Sequence, residues 1–190
     1  DSIGSERITE DADYEGIRIR FRGYLGTARI NMQIDIGFGD VVYPGPERAE
    51  LPCMLDSPAP CLLCYSRESA IAEKFEAMIQ LGELNSRMKD FYDLWLLSRQ
   101  FDFKLKKLSE AVRLTFERRG TILEEPIDAF TDTFITDRQM IWTAFLKRLK
   151  QEHIPENFAE IVAEISAFMK PVIDRDTNDL IWQPAGPWKQ

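Results

Sequence analysis

Residues 17–36 read IRIRFRGYLGTARINMQIDI, and this stretch decides the fold class. Both halves alternate apolar and polar side chains, which is the period of a half-buried β-strand. The polar face of the first half carries Arg18, Arg20 and Arg22. The polar face of the second half carries Asn31, Gln33 and Asp35. The turn residues between the halves predict an antiparallel hairpin, and VVY at 41–43 predicts a further short strand.

Helical periodicity replaces alternation from Ser66 onward, and Ser66 is the predicted N-cap of the first helix. Asn85 or Ser86 is predicted to cap a second helix that runs to about Ser98. Three further helices are predicted near residues 106–119, 136–150 and 156–169. The tail beyond them is rich in Trp and Pro, and it is predicted to dock as an irregular strap.

The composition fits a folded protein with a substantial core. Of the 190 residues, 44% are hydrophobic, and no apolar run reaches the length of a membrane span, so no membrane role is predicted. The net charge of −8 makes the chain as a whole a poor electrostatic trap for nucleic acid. We predict an α+β fold, with a small antiparallel sheet and loop in residues 1–65 followed by an α-helical bundle in residues 66–190.

The cysteines Cys53, Cys61 and Cys64 lie close together in the sequence. A zinc site normally needs four ligands, and the one histidine, His153, is far away in the sequence. We predict reduced thiols that fill small apolar positions, which agrees with a cytoplasmic location. A single distant histidine also argues against a Ser-His-Asp or Cys-His mechanism.

Two charged residues are candidates for chemistry, and each has an ordinary structural alternative. Asp35 lies on a strand beside arginines, which suits a site for a metal ion and a phosphate group. The alternative is a solvated sheet face with cross-strand Arg–Asp pairs. Lys74 lies at the edge of an apolar helical stripe. It either meets a phosphate as a point charge or extends along its apolar stem to water.

Asp90 and Asp93 form the third candidate, at i, i+3 spacing near the start of the second helix. Carboxylates there commonly complement the positive end of the helix. This helix is apolar on its other sides, however, and a buried carboxylate without a partner is costly. Lys74, Arg87 and Lys89 are the candidate partners, and Lys74 is predicted to come within ion-pair distance of Asp90.

The order and spacing of three segments resemble the nucleotidyl transferase AbiEii/AbiGii toxin family. The segments are MQIDIGFGD at 32–40, RESAIAEKFEAMIQLG at 67–82 and NSRMKDFYDLWLL at 85–97. The most specific part is Glu73-Lys74 followed by Arg87-x-Lys-Asp90-x-x-Asp93-Leu. The resemblance implies a polymerase-β-type nucleotidyltransferase, with a small mixed sheet and a helical domain, that uses a nucleoside triphosphate and Mg²⁺.

The same resemblance implies roles for individual residues. Asp35 corresponds to a strand aspartate that acts on the attacking hydroxyl as a base or serves as a metal ligand. Lys74 would hold the triphosphate with Arg87 nearby, and Asp90 would orient Lys74 or contact the nucleotide. These residues are expected to line a cleft between the sheet and the helices. The implied protein is a bacterial toxin with a cognate antitoxin, and its acceptor is a molecule such as tRNA.

One family motif does not fit. Gly-Ser followed by Asp-x-Asp should lie upstream of the hairpin, and here Gly4-Ser5 is followed too closely by Asp11-Ala-Asp13 for a helix between them. We interpret this segment as an acidic loop. The first hypothesis is therefore the C-terminal part of a longer nucleotidyltransferase toxin, inactive by itself. The alternative is a non-catalytic relative that acts as an interaction protein, and a third is a structural helical domain without a ligand.

Overall fold

The computed structural model describes residues 3–8 and 16–190, and it confirms the predicted α+β class. The chain divides into two units, one up to Asp40 and one from Val41 to Gln190. The sequence placed a boundary between residues 65 and 66. Residues 41–65 are grouped with the helices because their contacts are mainly within the second unit.

The first unit is an antiparallel sheet in the order β1-β2-β3. Its strands are β1 (Gly4–Ile8), β2 (Gly16–Leu25) and β3 (Ala28–Gly37). The predicted hairpin is confirmed as β2–β3, and Gly26 takes a positive φ of 61° at its tight turn, a conformation that glycine adopts without a Cβ clash. The sequence did not predict β1, because the short segment GSERI has only one apolar side chain with which to mark a face.

The register of the hairpin places the polar side chains on one face, as predicted. The opposed pairs are Arg18 with Asp35, Arg20 with Gln33 and Arg22 with Asn31. The apolar face is more exposed to water than we expected for a half-buried strand, because Ile30 is 45% exposed and Ile34 is 50% exposed. The three strands form a single layer, and no second layer of described residues within this unit packs on them.

The second unit opens with a two-stranded sheet, β4 (Glu47–Glu50) and β5 (Cys61–Cys64). The strand predicted at residues 41–43 is not formed. Instead, the backbone of Tyr43 forms hydrogen bonds with side chains at the start of the first helix. Its N–H donates to Ser69 Oγ over 2.8 Å, and its carbonyl accepts hydrogen bonds from the hydroxyl groups of Ser66 and Ser69.

Within the described residues, the second unit has five α-helices. They are α1 (Arg67–Leu81), α2 (Met88–Gln100), α3 (Leu105–Arg119), α4 (Asp132–Leu149) and α5 (Phe158–Ile173). The predicted cap at Ser66 is confirmed, because its hydroxyl accepts from Ser69 N over 3.1 Å. Helix α2 begins later than predicted. Asn85 Oδ1 accepts a hydrogen bond from Arg87 N over 2.8 Å. This contact keeps residues 85–87 in a side-chain turn, so the helix begins only at Met88.

The helices enclose an aromatic-rich core. Its largest fully buried side chains include Phe75, Phe91, Phe103, Trp142, Phe158 and Phe168. The Phe91 and Phe158 rings meet edge to face with centroids 5.1 Å apart, which joins α2 to α5. Burial of these rings removes their apolar surface from water, and this stabilises the packing of the helices.

The tail docks on the helices, as predicted, but it does so through regular pairing. It forms a small antiparallel sheet of β6 (Phe103–Lys104), β7 (Ile181–Trp182) and β8 (Trp188–Lys189). The indole of Trp182 donates to the carbonyl of Ser98 over 2.6 Å, and that of Trp188 donates to Phe168 over 2.9 Å. Both indoles thus satisfy their N–H groups while they cover the end of the core.

Candidate functional site

Lys74 lies against the first two turns of α2. Its Nζ atom is 3.3 Å from Asp90 Oδ1 and 2.7 Å from Asp93 Oδ2. The predicted ion pair with Asp90 is therefore confirmed, and Asp93 is the closer partner. The short connection between α1 and α2 brings the two helices together, and the i, i+3 spacing puts both carboxylates on the side of α2 that meets Lys74.

Two more cations complete this group, which we call the lysine–aspartate cluster: Lys74, Arg87, Lys89, Asp90 and Asp93. Arg87 Nε lies 3.0 Å from Asp90 Oδ2, and Lys89 Nζ lies 2.6 Å from Asp93 Oδ2. The Asp90 and Asp93 side chains are only 9% and 17% exposed, whereas that of Lys89 is 73% exposed. The carboxylates therefore lie inside and the cations lie towards water.

The carboxylates of the cluster hold its lysine in place. Because Asp90 and Asp93 are held on a helix, they fix the position of the Lys74 ammonium. A cation fixed in this way can meet an anion, and phosphate oxygens are a common ligand of lysine in this setting. Two carboxylates on one lysine also compete with any such anion, which limits its affinity.

A cavity of about 540 Å³ lies beside the cluster, at the start of α2 and the end of α4. It is lined by Ser86, Arg87, Met88, Lys89, Asp90, Phe145, Arg148 and Leu149. The sequence reasoning missed Phe145 and Arg148. The available signal was the basic pair Lys147-Arg148 in the last turn of α4, but its distance along the chain from α2 gave no reason to connect them.

Asp35 lies on the polar face of the hairpin, fully engaged with its neighbours. Both of its oxygens accept from Arg18, over 2.9 and 3.0 Å, and both lie 3.1 Å from Gln33 Nε2. The hydrogen bond from Arg18 is the main cause that holds the pKa of Asp35 below its ordinary value of 3.8. This is the cross-strand pairing that we gave as the structural alternative.

The effect of Arg18 on the pKa of Asp35 can be measured. Replacing Arg18 with alanine should raise the pKa of Asp35 towards 3.8, because the carboxylate loses its principal hydrogen-bond donor and a nearby positive charge. The Asp35 carboxyl signal followed by NMR during an acid titration gives the midpoint. Arg22→Ala, on the same strand but opposite Asn31, is the control and should move the midpoint little. An unchanged midpoint in Arg18→Ala would contradict this assignment.

The residues described here do not fit a magnesium site. In residues 3–8 and 16–190, no three His, Cys, Asp or Glu side chains are grouped to hold a metal ion. Asp35 would first have to release Arg18 before it could serve as a ligand. Gly4 and Ser5 lie in β1, while Asp11 and Asp13 lie outside the described residues. The roles implied for Asp35, Lys74, Asp90 and Arg87 stay predictions, and so does the cleft that was expected to unite them.

The cysteines differ from the prediction in one respect. All three are free thiols, but Cys53 and Cys61 are exposed and Cys64 is only partly buried. They therefore do not fill buried apolar positions. Cys61 and Cys64 lie on β5, in a two-stranded sheet whose side chains stay near water, and Cys53 lies in the connection between β4 and β5.

Within the described part of the chain, no helix has both the length and the apolar character needed to cross a lipid bilayer.

Comparison with known proteins identifies the family of the chain. The family model described as "Nucleotidyl transferase AbiEii toxin, Type IV TA system" matches residues 1–164 of the 190. No curated protein matches the chain. The match covers the hairpin, both helices of the lysine–aspartate cluster and the end of α4 that lines the cavity. The chain belongs to the nucleotidyl transferase AbiEii toxin family of type IV toxin–antitoxin systems.

Proposed function

We propose that the lysine–aspartate cluster binds the phosphate groups of a nucleoside triphosphate. The observation that carries this proposal is the position of Lys74, whose Nζ atom is fixed by the buried carboxylate of Asp90 and the half-buried carboxylate of Asp93. Lys74 meets the phosphates, and Arg87 adds a second contact at the exposed edge. Asp90 and Asp93 position Lys74.

The wider setting of this proposal follows from the family. A nucleotidyltransferase passes a nucleoside monophosphate from the triphosphate to an acceptor hydroxyl and releases pyrophosphate, and tRNA is the acceptor that we propose. Mg²⁺ bound to the triphosphate would neutralise part of its charge. We further propose that the protein acts in the cytoplasm and is paired with an antitoxin protein.

A variant of Lys74 tests the proposal. Lys74→Ala should weaken triphosphate binding by about tenfold or more, because one charge-assisted contact is worth roughly 1.5–3 kcal/mol. Binding to the unaltered protein should also weaken as salt is raised, since ionic contacts near the surface are screened. Calorimetric titration at low salt provides the measurement.

The control is Lys106→Ala. Lys106 lies on α3 and forms an exposed ion pair with Asp179, so the variant removes the same charge outside the cluster. It should leave triphosphate affinity within about twofold. Equal affinities for Lys74→Ala and Lys106→Ala, or no binding by the unaltered protein, would remove the basis for a nucleotide site here. Thermal unfolding of each variant checks that a loss of affinity is not a loss of the fold.

The second candidate function is non-catalytic binding. The observation in its favour is Asp35, whose oxygens are already occupied by Arg18 and Gln33. A carboxylate in that state is a weaker base, because its Arg18 partner stabilises the ionised form. Incubation with labelled triphosphate, Mg²⁺ and tRNA separates the two functions. We expect these 190 residues to bind without transfer, and incorporation of label would instead establish an enzyme.

A further inference from the structure

The cavity beside the cluster has a feature that triphosphate binding leaves unexplained. Arg148 reaches it from the last turns of α4, and among the residues that the structure describes it has no acidic partner. The other two cations of the lining, Arg87 and Lys89, are paired with Asp90 and Asp93. Arg148 thus contributes a positive charge that no described carboxylate offsets, on an exposed side chain free to meet an anion.

The lining of the cavity also has an apolar and aromatic part. Phe145 is half-buried, and it stacks on Trp142 with ring centroids 5.4 Å apart. Tyr92 supports it from another side at 5.9 Å. Met88 and Leu149 complete the apolar wall. Phe145 is therefore held rigidly by neighbouring rings and still presents part of its surface to the cavity, as a stacking platform requires.

The cationic part and the aromatic part of the lining match the two parts of a nucleotide. A base stacks on an aromatic ring, and its phosphate pairs with an arginine. A volume of about 540 Å³ lies within the usual range for small-molecule sites and exceeds what a lone phosphate needs. Ser86, Arg87, Lys89 and Arg148 at the rim are all exposed. A strand can thus enter and leave, which favours a nucleotide within a chain over a free one.

We propose that the cavity between α2 and α4 holds one nucleotide of a single-stranded nucleic acid, with its base on Phe145 and its phosphate at Arg148. This deepens the proposed function, because it places the acceptor strand next to the triphosphate cluster. The positive charge of Arg148 makes such binding compatible with a net charge of −8, since contact depends on the nearby field. Strand binding at this cavity does not require a triphosphate.

The test compares two neighbouring cations on α4. Arg148→Ala and Lys147→Ala each remove one positive charge, but only Arg148 lines the cavity. A fluorescein-labelled single-stranded RNA oligonucleotide is titrated with each protein. We expect Arg148→Ala to weaken RNA binding by about tenfold and to lower the salt dependence. Lys147→Ala should weaken it by no more than about twofold. Equal effects of the two variants would overturn the proposal.

Phe145→Leu provides a second, independent variant, since it keeps an apolar side chain and removes the stacking surface. It should weaken RNA binding by about fivefold or more, and thermal unfolding confirms that the variant is folded. A mononucleotide should bind more weakly than the RNA, and equal binding would overturn the assignment to a strand. RNA affinity unaffected by Phe145→Leu, or no RNA binding by the unaltered protein, would overturn the stacking site.

Triphosphate titration in parallel keeps the two proposals apart. Arg148→Ala should retain the triphosphate affinity of the unaltered protein, whereas Lys74→Ala should lose triphosphate affinity and retain RNA affinity. A protein that binds RNA through Arg148 but no triphosphate would support the cavity and reject the cluster. The reverse result, triphosphate bound through Lys74 with RNA affinity independent of Arg148, would reject the cavity alone.

Discussion

Replacing Trp142 with alanine is expected to lower the free energy of unfolding by about 3–5 kcal/mol. The side chain is fully buried, and its ring packs on Phe158 with centroids 5.5 Å apart. Its indole N–H also donates to the carbonyl of Pro155 over 3.0 Å. The substitution therefore opens a large void among aromatic rings and leaves a carbonyl without its donor.

Urea unfolding of the two proteins measures the effect. The midpoint should fall while the slope stays constant, because the same surface is exposed on unfolding. Met140→Ala on the same helix is the control, since Met140 is 82% exposed and its loss should change stability by no more than about 0.5 kcal/mol. If Trp142→Ala unfolded at the same midpoint as Met140→Ala, the assignment of Trp142 to the core would be wrong.

The second large effect is expected at the buried ion pair between α1 and α3. Glu76 is fully buried and accepts from Arg119 over 2.6 Å and from Thr121 Oγ1 over 2.5 Å. Replacing Arg119 with alanine leaves a buried carboxylate without its counter-charge, and such a loss costs about 3–5 kcal/mol. The same unfolding experiment provides the measurement.

A double variant separates the cost of the lone charge from the value of the pair. Replacement of Glu76 and Arg119 together by methionine removes both charges, so it should be less destabilising than Arg119→Ala alone. Arg113→Ala is the control on the same helix, because its pairs with Glu110 and Glu117 are exposed and screened by water, so its loss should change stability little. A double variant as unstable as the single one would show that packing rather than charge dominates.

Local patterns predicted the main elements because the physical signal for each of them is local. The alternation in residues 17–36 gave β2, β3 and their register, since a strand has a period of two. Ser66 predicted the start of α1, because a cap acts within three residues. The prediction of a strand at 41–43 was wrong. The hydroxyl groups of Ser66 and Ser69 form hydrogen bonds with the Tyr43 backbone. Both serines lie more than twenty positions away, so no local pattern indicates these contacts.

Contacts in the candidate functional site could likewise be predicted only where the signal was local. Lys74 and Asp90 were predicted to meet because a short connection makes α1 and α2 neighbours, and the structure confirms the contact. Arg148 and Phe145 were missed because they reach the cavity through the packing of α4, which no local spacing encodes. The same holds for Glu76, whose partner Arg119 is 43 positions away. A charge that is satisfied by tertiary packing looks like any other helical glutamate in the sequence.

The small sheet of β6, β7 and β8 also affects when the helical unit can finish folding during synthesis. Trp182 donates to Ser98, a residue 84 positions earlier, so the two cannot meet until nearly all of the unit has been synthesised. At about 5–20 residues per second, the ribosome needs roughly 4–17 s to cover that interval. For nearly all of this time Phe103, which pairs with Trp182 in the sheet, lacks its strand partner. The Phe168 ring is made only shortly before the indole that packs on it. The end of the core beside Phe103 therefore stays uncovered for several seconds before the unit can finish folding.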